Sequence, residues 1–329
     1  MSAWKASLAD PKNWAVTRVI SVEPTINLLN DDLRRRTIAA TPRRRDPPPP
    51  SYPQIVETGT LRSKRLANDN PRSIDFAHPA PSAPQLLLGL RALDFDSSKN
   101  LRINCIVDAV NPTSAKVNIT SWHDSIHYGT CCSWLKIPRN DDDIQCGTYN
   151  IVDDHPWYKP QELTTYRVIF ARPYATEPKV AAWFHKLELC NRTGYRAHVS
   201  VRDVTREGFT IHITAWFGAI IYAAAISWIA LSPSRADITC GAYGTLDVKP
   251  STPNSPHTSG WHAFSKSGFT SPPRLFLAIS SLDFEKGRNV RFNDLCATKV
   301  TAEGFEWHLD TRDDSVMYSA AAAYVAFAS

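Results

Sequence analysis

One unit is written three times in this chain. Residues 116–137 (KVNITSWHDSIHYGTCCSWLKI), 210–231 (TIHITAWFGAIIYAAAISWIAL) and 306–327 (EWHLDTRDDSVMYSAAAAYVAF) share one grammar. Each reads as a strand, a short polar turn, a Tyr, and a second strand ending on a large aromatic. Upstream, Gly59, Gly147 and Gly241 open the units at separations of 88 and 94 residues. Phe76, Phe170 and Phe264 follow, each leading to a proline (Pro84, Pro178, Pro273) and then an apolar strand, QLLLGLRALDF, KVAAWFHKLEL or RLFLAISSLDF. A strand carrying an Arg comes next. A fixed-period self-match of this kind is the signature of repeated supersecondary units. Each unit is a meander of about six strands with Pro, Gly and Asn at its turns. No segment sustains a helical period, so the expected class is all-β: three tandem six-stranded antiparallel β-sandwiches over residues 54–139, 143–234 and 237–329.

Strand parity sorts the side chains, because successive residues point to opposite faces. Phe209, Ile211 and Ile213 share one face, and Thr210, His212, Thr214 and Trp216 the other. Val117 and Ile119 lie opposite Asn118, Thr120 and Trp122. Trp122 and Trp216 therefore stand on the polar register. Arg196 alternates with Tyr195 and Ala197, and Arg102 holds the matching slot in the first unit. Each Arg lies 20 residues before its Trp. Trp134, Trp228 and Tyr324 recur inside apolar strands and belong to the cores.

An aromatic on a polar face beside Arg, His and Tyr fits a shallow polar ligand such as a sugar. The indole covers the C–H face of a pyranose, and charged groups bond its hydroxyls. Taken alone, Trp122 fits equally an aromatic packed against a neighbouring unit, and His123 a solvated turn residue.

In its order of segments the chain resembles the H-type lectin domain, the family of snail agglutinins and the discoidin C-terminal domain. The resemblance rests on the Phe and Pro leading into the second strand, the LDF/LEL ending of that strand, Asn100-Leu101-Arg102, the turns at Glu207-Gly208-Phe209 and Glu303-Gly304-Phe305, Trp122-His123, Tyr128 and Ser133-Trp134. It covers residues 54–329. It implies a six-stranded sandwich that assembles as a trimer, binds N-acetylgalactosamine or galactose between protomers, and performs no catalysis. By position, the implied carbohydrate contacts are Arg102, Trp122, His123 and Tyr128, with Arg196, Trp216 and Tyr222 in the second unit, where Phe217 replaces the His. The third unit keeps Arg291 and Tyr318 but has Arg312 and Asp313 at the Trp-His position. The family also uses an Asp from the loop after the first strand. Its position falls near Arg65, with Asp69 the nearest carboxylate, and in the second unit Asp153 and Asp154 lie within that loop but out of register. Three copies in one chain predict an intramolecular pseudo-trimer, with the alanines at 223–225 and 320–323 allowing close approach around its axis.

The expected partners are glycans or glycoproteins. The alternative is a protein-interaction scaffold built from degenerate lectin repeats. An enzyme is disfavoured: His123-Asp124 has no repeated nucleophile beside it, and glycoside hydrolysis needs a carboxylate pair across a cleft. No cofactor and no metal site is expected, since the seven Cys are scattered and form no CxxC pair. Residues 1–53 hold nine Lys/Arg and five Asp/Glu, so they account for +4 of the net +5. The remaining chain lacks the basic excess of a nucleic-acid binder. That N-terminal stretch, with Arg34–36, Arg43–45 and Pro47–50, reads as a disordered tail, either a plain solvated extension or a basic address. Without a secretory signal or an apolar run of membrane length, reduced thiols, a cytoplasmic location and no membrane insertion are expected.

Overall fold

The structure is a computed structural model, and it describes residues 56–64, 71–139, 141–250, 256–264 and 268–328. The tail, with its basic and proline runs, and the positions Arg65 and Asp69 lie outside the described residues. The first repeat comprises β1 (Glu57–Lys64), β2 (Arg72–Asp75), β3 (Gln85–Phe95), β4 (Leu101–Val110), β5 (Ser114–Thr120) and β6 (His127–Ile137). The second comprises β7 (Ile144–Asn150), β8 (Leu163–Ile169), β9 (Lys179–Leu189), β10 (Tyr195–Arg202), β11 (Gly208–Thr214) and β12 (Ile221–Leu231). The third comprises β13 (Ile238–Gly244), β14 (Ser259–Ala263), β15 (Arg274–Phe284), β16 (Val290–Phe292), β17 (Cys296–Thr298), β18 (Gly304–His308) and β19 (Met317–Phe327). Among the described residues the helical elements are two 3-10 turns, Ile151–Asp153 and Thr245–Asp247.

In the first two repeats the first, sixth and third strands pair in that order, and the second, fifth and fourth pair in another layer. In the third repeat, whose fourth strand is split into β16 and β17, the orders are β13-β19-β15 and β14-β18-β17. The opening glycines follow from the first pairing. Gly59, Gly147 and Gly241 lie directly opposite Trp134, Trp228 and Tyr324. A Cβ on these glycines would stand 2.6, 2.9 and 2.9 Å from the facing aromatic ring. Glycine is therefore what lets the aromatic lie flat across the strand. Phe76, Phe170 and Phe264 pack on those same rings at 6.2, 6.3 and 6.0 Å between centroids.

The sheets do not close within a repeat. The β4 strand pairs with β9 of the second repeat, β10 with β15 of the third, and β16 with β3 of the first. Two six-stranded sheets result, β2-β5-β4-β9-β12-β7 and β8-β11-β10-β15-β19-β13. The third junction follows the same rule, but its strand breaks after Phe292 and resumes at Cys296. That sheet is split into a four-stranded part, β1-β6-β3-β16, and a three-stranded part, β14-β18-β17. Each repeat is thus the expected sandwich of two three-stranded layers, and its layers are extended into neighbouring repeats because fourth-strand edges pair with third-strand edges.

The third strand of each repeat is buried on both faces, which explains its unbroken apolar run. Leu88 and Leu90 face the sandwich core with Val117 and Ile119. Leu87 faces a second cluster drawn from all three repeats, including Trp183, Phe276, Ala278 and Val325. Gly89, Trp183 and Ala278 occupy one equivalent position in the three repeats, and they meet. A Cβ on Gly89 would collide with the Ala278 Cβ and lie 2.8 Å from Trp183 Cδ1. Trp183 is fully buried and donates its indole N–H to the Leu88 carbonyl at 2.9 Å. One large and two small residues fill a space that three identical residues could not share. The close approach expected of the alanine runs falls mainly here. Parity sends Ala224, Ala320 and Ala322 into the sandwich cores, and Ala323 alone of those runs joins the central cluster.

Candidate seam site between repeats

The pairing of fourth and third strands sets an arginine opposite a carboxylate at every seam. Arg102 faces Glu188, Arg196 faces Asp283, and Arg291 faces Asp94 in the strand registers. The corresponding Nε–carboxylate distances are 2.7, 2.8 and 3.6 Å. Directly opposed unlike charges stabilise a strand pair. The Arg of the fourth strand and the acid of the LDF/LEL ending, which recur together in sequence, are thus one inter-repeat contact.

At the first seam Arg102 is buried and uses its second nitrogen, Nη1, on Asp124 at 2.8 Å. Asp124 also takes Lys99 at 3.1 Å and lies 2.7 Å from Nδ1 of His123. Hydrogen bonds from His123, Lys99 and Arg102 hold its carboxyl well below the usual range. The turn is thereby fixed from its charged end. His123 has φ of 57°, and Phe217 (51°) and Asp313 (57°) repeat this left-handed position in the other units. Strained turn residues of this kind concentrate at binding sites. The His123 side chain is 71% exposed. Trp122 is half-buried, with the Lys186 ammonium 5.7 Å from its ring centroid. Burial lowers the Lys186 pKa, partly offset by Glu188 and Asp153.

Beside this turn is a cavity of about 430 Å³ lined by Asn104 and Ile106 of the first repeat and Asn150, His185, Lys186 and Ser227 of the second. The second seam has an equivalent cavity of about 590 Å³, where His198, Ser200 and Trp216 face Gly244, Asp247 and Ser281. Both lie within the size range of small-ligand clefts. Asp247 follows the first strand of its repeat, and its carboxylate accepts from the Gly244 amide at 2.7 Å. Burial raises the Asp283 pKa there, with Arg196 and Trp216 offsetting it in part. At the third seam Arg62 and Arg91 take the places of Asn150 and His185, and both bond Asp294. Ion pairs thus link the positions that line the cavities at the other two seams.

The residues expected from sequence divide between seams. Arg102 and His123 meet through Asp124, with Trp122 beside them over Lys186. Arg196 and Trp216 meet at Asp283, and Phe217 lies 5.6 Å from the Arg196 guanidinium. Tyr128 does not share those contacts. Its hydroxyl donates to Asp96 at 3.0 Å, and the charges around it include Arg291 and Asp94 of the third seam. Likewise Tyr318 bonds Glu285 at 3.2 Å and senses Arg196 of the preceding repeat. Tyr222 donates to Cys190 Sγ at 3.6 Å. The cause is local. The start of each sixth strand lies beside the end of its own third strand, and that end belongs to the seam with the preceding repeat. The seam residues Glu188, Asp283, Lys186 and Asp247 were not singled out from sequence. For the first two the signal was the acid of LEL and LDF. Of the loop acids, Asp153 is exposed and Asp154 accepts from the Tyr149 hydroxyl.

Among the described residues no group of three or more His, Cys, Asp or Glu could hold a metal ion, and no helix is long and apolar enough to cross a membrane. The molecule is thus an all-β protein of three sandwich repeats with ligand-sized clefts at two of its seams. The H-type lectin domain model matches residues 71–136, 165–231 and 263–327, and the chain belongs to that family. No curated protein matches it.

Proposed function

We propose that the chain is a non-catalytic lectin for glycans ending in N-acetylgalactosamine or galactose, held at the first and second seams. The observation that carries this reading is the first seam. A buried Arg102 and an ionised Asp124 brace the turn that carries Trp122 and His123, and Lys186, which covers the Trp122 ring, lines the neighbouring cleft. Fixed donors, a flat ring and a polar cavity are what a pyranose requires. Glycan-array binding should be lost in Trp122→Ala, by at least about tenfold in affinity if the ring stacks on sugar. An inert wild-type protein would sink the proposal.

The three repeats take the place of three protomers in this reading. The unlike residues Gly89, Trp183 and Ala278 support it, since a homotrimer would set identical residues together. Sedimentation of the full chain should give a monomer. All seven Cys are free thiols, which supports a reducing, cytoplasmic location. The second reading, a protein-interaction scaffold, draws on the third seam, where Arg62 and Arg91 bond Asp294 at positions that line the clefts of the other two seams. It predicts a folded protein that ignores glycans and captures a protein partner.

A further inference from the structure

We propose that Trp157 and Tyr158 form a second sugar platform flanking the first seam, which binds the next pyranose of an oligosaccharide. This deepens the lectin reading and rests on it. The two side chains are 59% and 63% exposed, and their rings stand edge to face at 5.8 Å. Neighbouring aromatics with this much free surface contribute little to a core.

The loop that presents them is anchored on both sides. Before them, the 3-10 turn Ile151–Asp153 buries Ile151, and the Asp154 and His155 amides both donate to the Ile151 carbonyl. His155 is buried, and its Nε2 lies 3.0 Å from the Thr164 hydroxyl of β8. After them, the Lys159 amide closes a turn onto the Pro156 carbonyl at 2.9 Å. Trp157 and Tyr158 are the two central residues of that turn, the positions that project outward. A fixed platform loses little entropy when it binds.

One ring contact and one charge interaction tie the platform to the seam. Trp157 lies edge to face with Tyr222 at 6.4 Å, and Tyr222 holds the position from which Tyr318 senses Arg196 and Tyr128 senses Arg291. In the same loop, Asp153 acts on Lys186, the residue that covers Trp122. The platform is specific to the second repeat: the matching stretches, residues 65–71 and 248–256, hold no aromatic. The first seam is therefore the one built for more than a single sugar. Exposed aromatics also stack nucleic-acid bases. Here Asp153 and Asp154 stand in the same loop, and acidic neighbours oppose a phosphate backbone.

The test uses the full chain with free N-acetylgalactosamine and with an array of short oligosaccharides ending in galactose or N-acetylgalactosamine. Trp157→Ala should leave monosaccharide affinity within about twofold and weaken the best oligosaccharide about tenfold. Trp157→Phe, which keeps a flat ring, should retain most of the oligosaccharide affinity, while Trp122→Ala should lose both ligands. Unchanged oligosaccharide binding in Trp157→Ala overturns the platform and leaves the lectin reading standing. Equal loss of both ligands in Trp157→Ala also overturns it, by assigning Trp157 a structural role. Binding of a single-stranded oligonucleotide in place of glycans, or no ligand for the wild type, overturns both.

Discussion

Arg102 Nε lies 2.7 Å from Glu188 Oε1, and its Nη1 lies 2.8 Å from Asp124 Oδ1. One side chain thus joins the second repeat's third strand to the first repeat's Trp122-His123 turn. The planar guanidinium can serve both carboxylates at fixed angles, and a lysine cannot. Arg102→Lys should therefore weaken glycan binding more than it weakens the fold. Arg102→Ala should cost about 2–4 kcal/mol of stability, since it leaves the largely buried Glu188 unpaired. Chemical denaturation and glycan titration of the two variants separate these effects.

A second ion pair is wholly internal. Lys136 and Glu57 are both buried and bonded to each other, and the Glu57 carboxylate also accepts from the Ala77 and His78 amides at 2.9 and 3.0 Å. The second repeat has Gln145 opposite Ala230 at these positions. Glu57→Gln alone should cost about 3–5 kcal/mol by stranding the ammonium. Adding Lys136→Ala, the second repeat's combination, should recover a large part of that loss in a double-mutant cycle.

The same pair has a pH signature. Burial would raise the Glu57 pKa, but Lys136 and the His78 and Ala77 amides outweigh it and hold it below its ordinary value. Its stabilisation is therefore complete above the unfolded carboxyl pKa and is lost as pH falls through the folded one. His185 in the first cleft adds to the acid sensitivity. Burial and then Lys186 hold its pKa down to about 4 from 6.5. The unfolded chain binds its proton first, so stability falls as pH drops from 6.5 toward about 4. The loss amounts to at most about 3 kcal/mol, less wherever water reaches the ring. His185→Gln should flatten that part of a stability-against-pH curve.

The centre of the ring should tolerate change poorly. Gly89→Ala inserts a methyl against Ala278 and Trp183 and should cost about 1–3 kcal/mol. Trp183→Ala removes the filling group and should cost about 3–5 kcal/mol. Thermal denaturation measures both, with Trp157→Ala, an exposed indole, as the comparison that leaves stability nearly unchanged.

Much of the fold was legible because parity and repetition are local signals. Phe209, Ile211 and Ile213 are buried as their alternation requires, and Gly59, Gly147 and Gly241 recur because an aromatic lies across each. The seams were less legible. Strand neighbours are set by which edges meet, and no residue spacing encodes that β4 pairs with β9. Tyr128 consequently reads as a companion of Arg102 in sequence, yet it stands near Arg291 in space. The break after Phe292 shows in sequence only as one extra residue before Arg312. Its consequence, Asp294 reaching Arg62 and Arg91, depends on a partner repeat more than two hundred residues away.

The most direct measurement is a crystal of the full chain soaked in N-acetylgalactosamine. The account predicts sugar density at the seam of the first and second repeats, against Trp122 and within hydrogen-bonding reach of His123 or Lys186. Sugar bound within one repeat, away from every seam, or no sugar at saturating concentration, would contradict it.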